Sequence, residues 1–385
     1  MDIIPGIKWR CLPKFIWLSL VVTVVNLCAG HALSAPPPLV DPQCTPTFPL
    51  NAPWLGADAA YSIPLPDGRS VWIFGDTLYG DKRVVNGKDP RMVRNSIGIS
   101  SCTNEKWNLE YVIRRDDHGN MQDFFQAQHK DTWYWALDGF VYKDDLLVTL
   151  LCIRKATSPK PDAFDFETCG ADVAKVSGLN GDPQKWKVDY FPLVKDGVAA
   201  YPSATAVVSG DYVYLFALYE KGSRPMLLTR IPLSGLSDPA KNLQYFSKSG
   251  NWKPAFVPAD SMAVMDPGAT EMSVRYDPDL KKWLAVFKSP DLSSDEVLVR
   301  TAPEITGPWS NAKVIYHIPE MKKGSPGYNK STFCYAGKEH PEFREPGSIL
   351  FTYVCNTTDI PSITTNTEIY FPKAVRVPLL DILNP

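Results

Sequence analysis

Four acidic residues stand at the ends of alternating apolar runs, where an acid is not needed to build a strand. The stretch "GADAAYSIPLPDGRSVWIFGDT", residues 56–77, reads as two strands joined by the turn Pro66-Asp67-Gly68, with Asp58 opening the first and Asp76 closing the second. In an antiparallel pair the second strand returns to where the first began, so both acids come to one edge. Two carboxyls whose pKa values are driven apart by burial and mutual repulsion can divide the work of cleaving a glycosidic bond. One protonates the leaving oxygen; the other activates water or attacks the sugar. The plainer alternative is that both are turn and strand-end residues that hydrogen-bond their own backbone. Asp138 in "YWALDGF" and Glu271 in "GATEMSVRYD" invite the same two readings, as a further acid or acceptor for sugar hydroxyls, or as turn and solvated end.

Around these acids lie residues that suit a sugar. Trp133, Tyr134 and Trp135 precede Asp138, and a ring such as that of Trp135 offers a flat apolar face to sugar C–H groups; packing between sheets is the competing use. Arg94 and Asn95 in "RMVRNSIGIS" stand ahead of another alternating run, where Arg94 serves either a substrate or a nearby acid. Other chemistries lack their signatures: there is no G-x-S-x-G, P-loop, G-x-G-x-x-G or H-E-x-x-H, and only five histidines are present. No cofactor is expected. A calcium ion in a central channel remains open, because it asks only for oxygen ligands. Asn329-Lys330-Ser331 and Asn356-Thr357-Thr358 match the glycosylation sequon.

The elements that must position these residues form a repeat. "ADAAYSIPLPDGRSVWIFGD", "LDGFVYKDDLLVTLLCIR", "YPSATAVVSGDYVYLFALYE", "GATEMSVRYDPDLKKWLAVFKS" and "KSTFCYAGKEHPEFREPGSILFTYVCN" are each an alternating strand, a turn and a more continuously apolar strand. They begin roughly 60–80 residues apart, a spacing that marks a repeat architecture. Long irregular stretches between hairpins argue against a sandwich, and the units predict an all-β, five-bladed β-propeller over residues 54–385. Residues just before the first strand of each unit then converge on one mouth of the channel: Asp58, Asp138, Tyr201–Ser203, Glu271 and Asn329–Ser331. Among these, Tyr201 joins the substrate-binding candidates. The 35 prolines disfavour long helices, and "MQDFFQAQHK" is the best short helix candidate.

A net charge of −2 gives no reason to expect nucleic acid or an anionic membrane as partner. Lys8, Arg10 and Lys14 precede the apolar run "FIWLSLVVTVVNLCAG", which is the layout of a secretory signal cleaved after Ala32. Residues 33–53 are a proline-rich lead-in. The expected product is extracytoplasmic and monomeric, free of the membrane once the signal is gone. Six cysteines follow the signal, and six allow 15 pairings. Nearest neighbours in sequence give Cys44–Cys102, Cys152–Cys169 and Cys334–Cys355.

"GADAAYSIPLPDGRSVWIFGDT", "MVRNSIGIS", "GATEMSVRYDPDLKKWLAVF", "VRTAPEITGPWS" and "IYFPKAVRVPL" together resemble a secreted five-bladed propeller family. That family was long described as a domain of unknown function, and it includes endo-D-arabinanases. The resemblance runs from about Trp54 to Leu379 and is most specific in the first hairpin. It implies a pair of catalytic aspartates at the ends of that hairpin, which fall at Asp58 and Asp76, and a polysaccharide substrate such as arabinan. A more distant resemblance to the five-bladed clan of L-arabinanases and β-xylosidases implies further roles for Asp138 and Glu271. The competing class is a non-catalytic carbohydrate-binding or surface-interaction propeller.

Overall fold

Burial along the strands falls from the centre outward, and that gradient defines the architecture. In the computed structural model, which describes residues 44–83, 91–157, 165–326 and 328–383, the strand Ser70–Tyr79 is buried along almost its whole length. Two strands further out, Lys106–Val112 alternates exposed and half-buried residues. The first is therefore covered on both faces and the second on one, as their sequences require. The expected signal and most of the lead-in lie outside the described residues.

Five antiparallel sheets repeat this pattern around a channel. Their innermost strands are Trp54–Pro64, Thr132–Tyr142, Ala200–Ser209, Met272–Asp277 and Thr332–Glu339, and each pairs with the next strand in sequence. The five hairpins read from the sequence are these inner pairs. Blades I to IV add outer strands, while blade V has three strands, ending with Lys373–Pro378. Apolar clusters join neighbours in turn: Tyr61 and Ile73 of blade I with Leu150 of blade II and Leu215 of blade III, Phe216 with Phe287, and Val286 with Phe351. Trp72 and Phe74 then meet Phe343 and Leu350, so blade V packs back on blade I and the ring closes.

Among the described residues, no strand is shared across that closing seam. It is held instead by Phe343, which stacks on Trp72 with ring centroids 5.3 Å apart, and by Arg83. The Arg83 side chain is buried and donates to the carbonyls of Leu55, Asn366, Ile369 and Tyr370. His340 bridges Ser62 and Thr352 across the same seam, at 2.6 and 2.7 Å. Disulfides join Cys44 to Cys102, Cys152 to Cys169 and Cys334 to Cys355.

Two local expectations are corrected. "MQDFFQAQHK" is not a helix: Met121–Gln122 pairs with Arg114–Arg115, and Phe124 and Phe125 then bury themselves against blade II. Nor do Asp58 and Asp138 precede their strands. Both lie inside them, at irregularities of register between Ala57 and Ala59 and between Ala136 and Asp138. The inner strands of blades III and V carry similar shifts, between Pro202 and Thr205 and between Tyr335 and Lys338. The blade II and blade V shifts insert one residue and the blade III shift two, and such insertions re-aim their neighbours. Around Asp58 the insertion leaves Ala59 and Ala60 at φ values of 65° and 108°, a costly conformation for residues with a Cβ.

Candidate active site

The bulges of blades I and V turn polar side chains into a cavity of about 750 Å³ at one mouth of the channel. Asp58, Asp76, Glu271, Arg94 and Trp135 all line it, together with Tyr61, Tyr335 and Tyr370. The hairpin of blade I brings Asp58 and Asp76 side by side. Asp58 lies across the bare Cα of Gly75, so close that a methyl group there would collide with its carboxyl. The main-chain N–H of Asp76 and the hydroxyl of Tyr335, 3.0 Å away, both donate to the Asp58 carboxyl. The Asn356 amide in turn donates to the Tyr335 hydroxyl at 3.2 Å.

The two aspartates have different surroundings. Asp76 accepts from the Arg94 guanidinium at 3.2 Å, and that guanidinium stacks 4.5 Å from the Trp133 ring centroid. Burial pushes the Asp76 pKa up to about 6, with the Arg94 charge and hydrogen bond pulling it down and Asp123 opposing them. The Trp135 indole also lies against this carboxyl and favours its ionised form. Asp58 has no cation beside it. Burial, then the charges of Asp76 and Glu271, raise it well above the usual carboxylate range. Glu271 is also raised by burial, against the Tyr61 hydroxyl and the Ala336 N–H that donate to it. The site thus holds three acids that all resist ionisation and one guanidinium committed to a single member.

Asp138, Asn95 and Tyr201 do not reach the cavity. Asp138 lies deeper, where it pairs with the Lys338 ammonium at 2.8 Å and accepts from Thr205 Oγ1 and the Ala206 N–H at 2.6 and 2.8 Å. Its lone pairs are spent on joining blades II, III and V. Asn95 is buried and exchanges hydrogen bonds with the Phe125 main chain and the Tyr134 carbonyl, tying blade I to blade II. Tyr201 is buried on the other side of its strand, near Thr168 and Glu220. Tyr61, Tyr335, Tyr370 and Lys338 escaped the sequence reading, which looked before the strands for converging residues; counting inward along each inner strand finds the first two and Lys338.

Among the described residues, no group of three or more His, Cys, Asp or Glu side chains is arranged to hold a metal ion. At the constriction below the cavity the Lys338 ammonium, 4.3 Å from the Tyr61 ring centroid, already faces Asp138 as a cation would.

A five-bladed propeller with an acid-lined cavity at one mouth is the class that fold and site define. Residues 47–379 match the family described as a domain of unknown function, DUF5005, and the chain belongs to that family. The notoamide biosynthesis cluster protein J of Aspergillus sp. (strain MF297-2) is 26% identical over 332 residues, covering 80% of this chain and 83% of that protein. Among solved structures, a protein from Bacteroides ovatus ATCC 8483 superposes with a TM-score of 0.67 at 17% identity, over 85% of this chain and 86% of the other. An exo-β-1,3-galactanase from Phanerochaete chrysosporium matches more loosely, with a TM-score of 0.47 at 11% identity over 84% of this chain and 60% of that one.

Proposed function

We propose that the protein is an extracytoplasmic glycoside hydrolase, with Asp58 as general acid and Asp76 as general base, acting on arabinofuranosyl glycans such as arabinan. The observation that carries this reading is the unequal treatment of two adjacent carboxyls in one cavity. Asp76 faces Arg94, which favours its ionised form, whereas Asp58 faces two other acids and keeps its proton. Asp76 removes a proton from water as the water oxygen bonds to the anomeric carbon. The bond from that carbon to the leaving oxygen breaks, and the Asp58 proton passes to the leaving oxygen. Solvent then carries the proton from Asp76 back to Asp58. The two carboxyls are held by different partners, Asp76 by Arg94 and Asp58 by Tyr335. Inversion at the anomeric carbon is the expected outcome. Glu271 and Tyr61 contribute a hydrogen-bonding wall for sugar hydroxyls.

Export rests on the signal-like leader and on three disulfides, which persist in oxidising compartments. Among the described residues, no helix is long and apolar enough to cross a membrane. A monomer is the proposed state. The name of the Aspergillus relative places that protein in a biosynthetic cluster, which favours a second reading in which the glycoside is a small molecule rather than a polymer.

The test is to incubate the chain from Leu33 onward with plant and bacterial arabinans, xylans, galactans and aryl furanosides, and to follow released sugar and its anomeric form. Asp58→Asn and Asp76→Asn should each lower turnover by about 10²–10⁴ while substrate binding persists. Binding without release from any of these by the unaltered protein would instead establish a carbohydrate-binding module.

A further inference from the structure

The cavity holds a hydrogen-bond chain whose direction is fixed from its far end. The strands Thr332–Glu339 and Ser348–Thr357 pair with Cys334 opposite Cys355 and Tyr335 opposite Val354. Asn356 therefore sits diagonally from Tyr335 on the same face of the pair, and both line the cavity. The Thr357 N–H donates to Asn356 Oδ1 at 2.7 Å. A main-chain N–H can only donate, so the amide oxygen is turned to Thr357 and the amide nitrogen to Tyr335, where it donates to the hydroxyl at 3.2 Å. A hydroxyl that accepts on one side presents its own proton on the other, and there Asp58 Oδ2 lies 3.0 Å away. The Tyr335 ring is itself held by stacking on Phe333, with centroids 5.6 Å apart.

Strand pairing does not require this amide. Asn356 is already opposite Phe333 in the sheet, and the Cys334–Cys355 disulfide crosses the same two strands one residue before Tyr335 and one before Asn356. We propose that Asn356 is a positioning residue: through Tyr335 it holds a donor on Asp58 Oδ2, and so reserves the acid proton of Asp58 for the leaving oxygen. A tyrosine hydroxyl free to turn would accept that proton as a hydrogen bond of its own, and the acid would then face tyrosine instead of substrate. Once the proton has passed to the leaving oxygen, the same hydroxyl donates to the carboxylate left behind. The inference rests on the hydrolase reading for its effect on turnover, but the hold of the chain on Asp58 is measured without turnover.

Asp58 faces the carboxyls of Asp76 and Glu271 and the hydroxyls of Tyr61, Tyr335 and Tyr370. Its titration is followed by NMR of isotope-labelled aspartate carboxyls, with the signal assigned by its loss in Asp58→Asn. Removing a donor to the ionised form raises a carboxyl, so Tyr335→Phe and Asn356→Leu should each move the midpoint upward by about one pH unit, and the double variant no further than Tyr335→Phe alone. Asn356→Asp, which keeps the acceptor for the Thr357 N–H, is a second variant and should also move it upward, by less in the Tyr335→Phe background. On an aryl furanoside the single variants should lower kcat about tenfold, leave KM within about twofold and shift the basic limb of the pH profile up by about one unit. A midpoint unmoved by both substitutions at Asn356, or shifts that add in full in the double variant, would overturn the proposal. The expected shifts in a protein that releases no sugar from any glycoside would uphold the chain and remove the hydrolase reading alone.

Discussion

Asp76 and Asp138 are the same residue type in the same channel, yet only Asp76 lines the cavity. Asp138 has a lysine, a threonine hydroxyl and a main-chain N–H on its carboxyl. Asp76 has one partly exposed arginine and the Trp135 indole beside it. With its pKa near 6, Asp76 is mostly ionised at neutral pH, and the acid limb of the kcat/KM profile should follow its titration. Arg94→Met removes the charge that holds this value down. The Asp76 pKa then rises, the ionised fraction falls at pH 6, and the acid limb moves upward by about one unit. A pH–rate profile of the variant on an aryl furanoside checks this, and an unmoved limb would mean that another group is the base.

At the scale of the strand, the site depends on irregularity rather than on regular pairing. The bulge at Ala59 and Ala60 aims the Asp58 side chain into the cavity, and Gly75 on the neighbouring strand clears the space it occupies. Gly75→Ala should therefore displace the carboxyl and lower kcat about tenfold or more, since misplacement on the order of 1 Å is expensive in catalysis. Far-UV circular dichroism should stay unchanged. Deeper in the channel, Lys338→Met strands the buried Asp138 charge and should cost about 3–5 kcal/mol in urea unfolding, most of it recovered by adding Asp138→Asn. The sequence made the hairpins legible, because Pro66-Asp67-Gly68 and its counterparts punctuate apolar runs. Depth within a strand was not legible. Nothing in "ADAAYS" announces an inserted residue, so Asp58 and Asp138 were read as strand openings and Asn95 as a ligand-facing polar group. Tyr335 and Lys338 were hidden for the same reason, since a register shift lies between them.

Across the whole molecule, the acids face one another only because blade V returns to blade I. Five units could be counted along the chain, but closure rests on pairs such as Trp72 with Phe343 and Arg83 with Tyr370, the latter 287 residues apart, and local patterning carries no trace of them. Arg83 is the strongest point of that seam. Burial without a carboxylate partner lowers its pKa to about 10, and its hydrogen bonds all go to main-chain carbonyls. Arg83→Met leaves those carbonyls unsatisfied and should cost roughly 3 kcal/mol, seen as a fall of several degrees in Tm. Activity should fall with it, because Tyr370 and Asp76 lie on either side of the seam.

Each sheet is drawn from one uninterrupted stretch of chain, and among the described residues no strand crosses from the last blade to the first. Segments that overhang the mouth, such as those bearing Leu292 or Ile363, can therefore be lengthened, trimmed or grafted singly without re-threading any other part. The acids sit on the floor, on strands that such exchanges leave alone. A scaffold so arranged can acquire new specificities by piecemeal drift in its overhangs while its chemistry stays fixed.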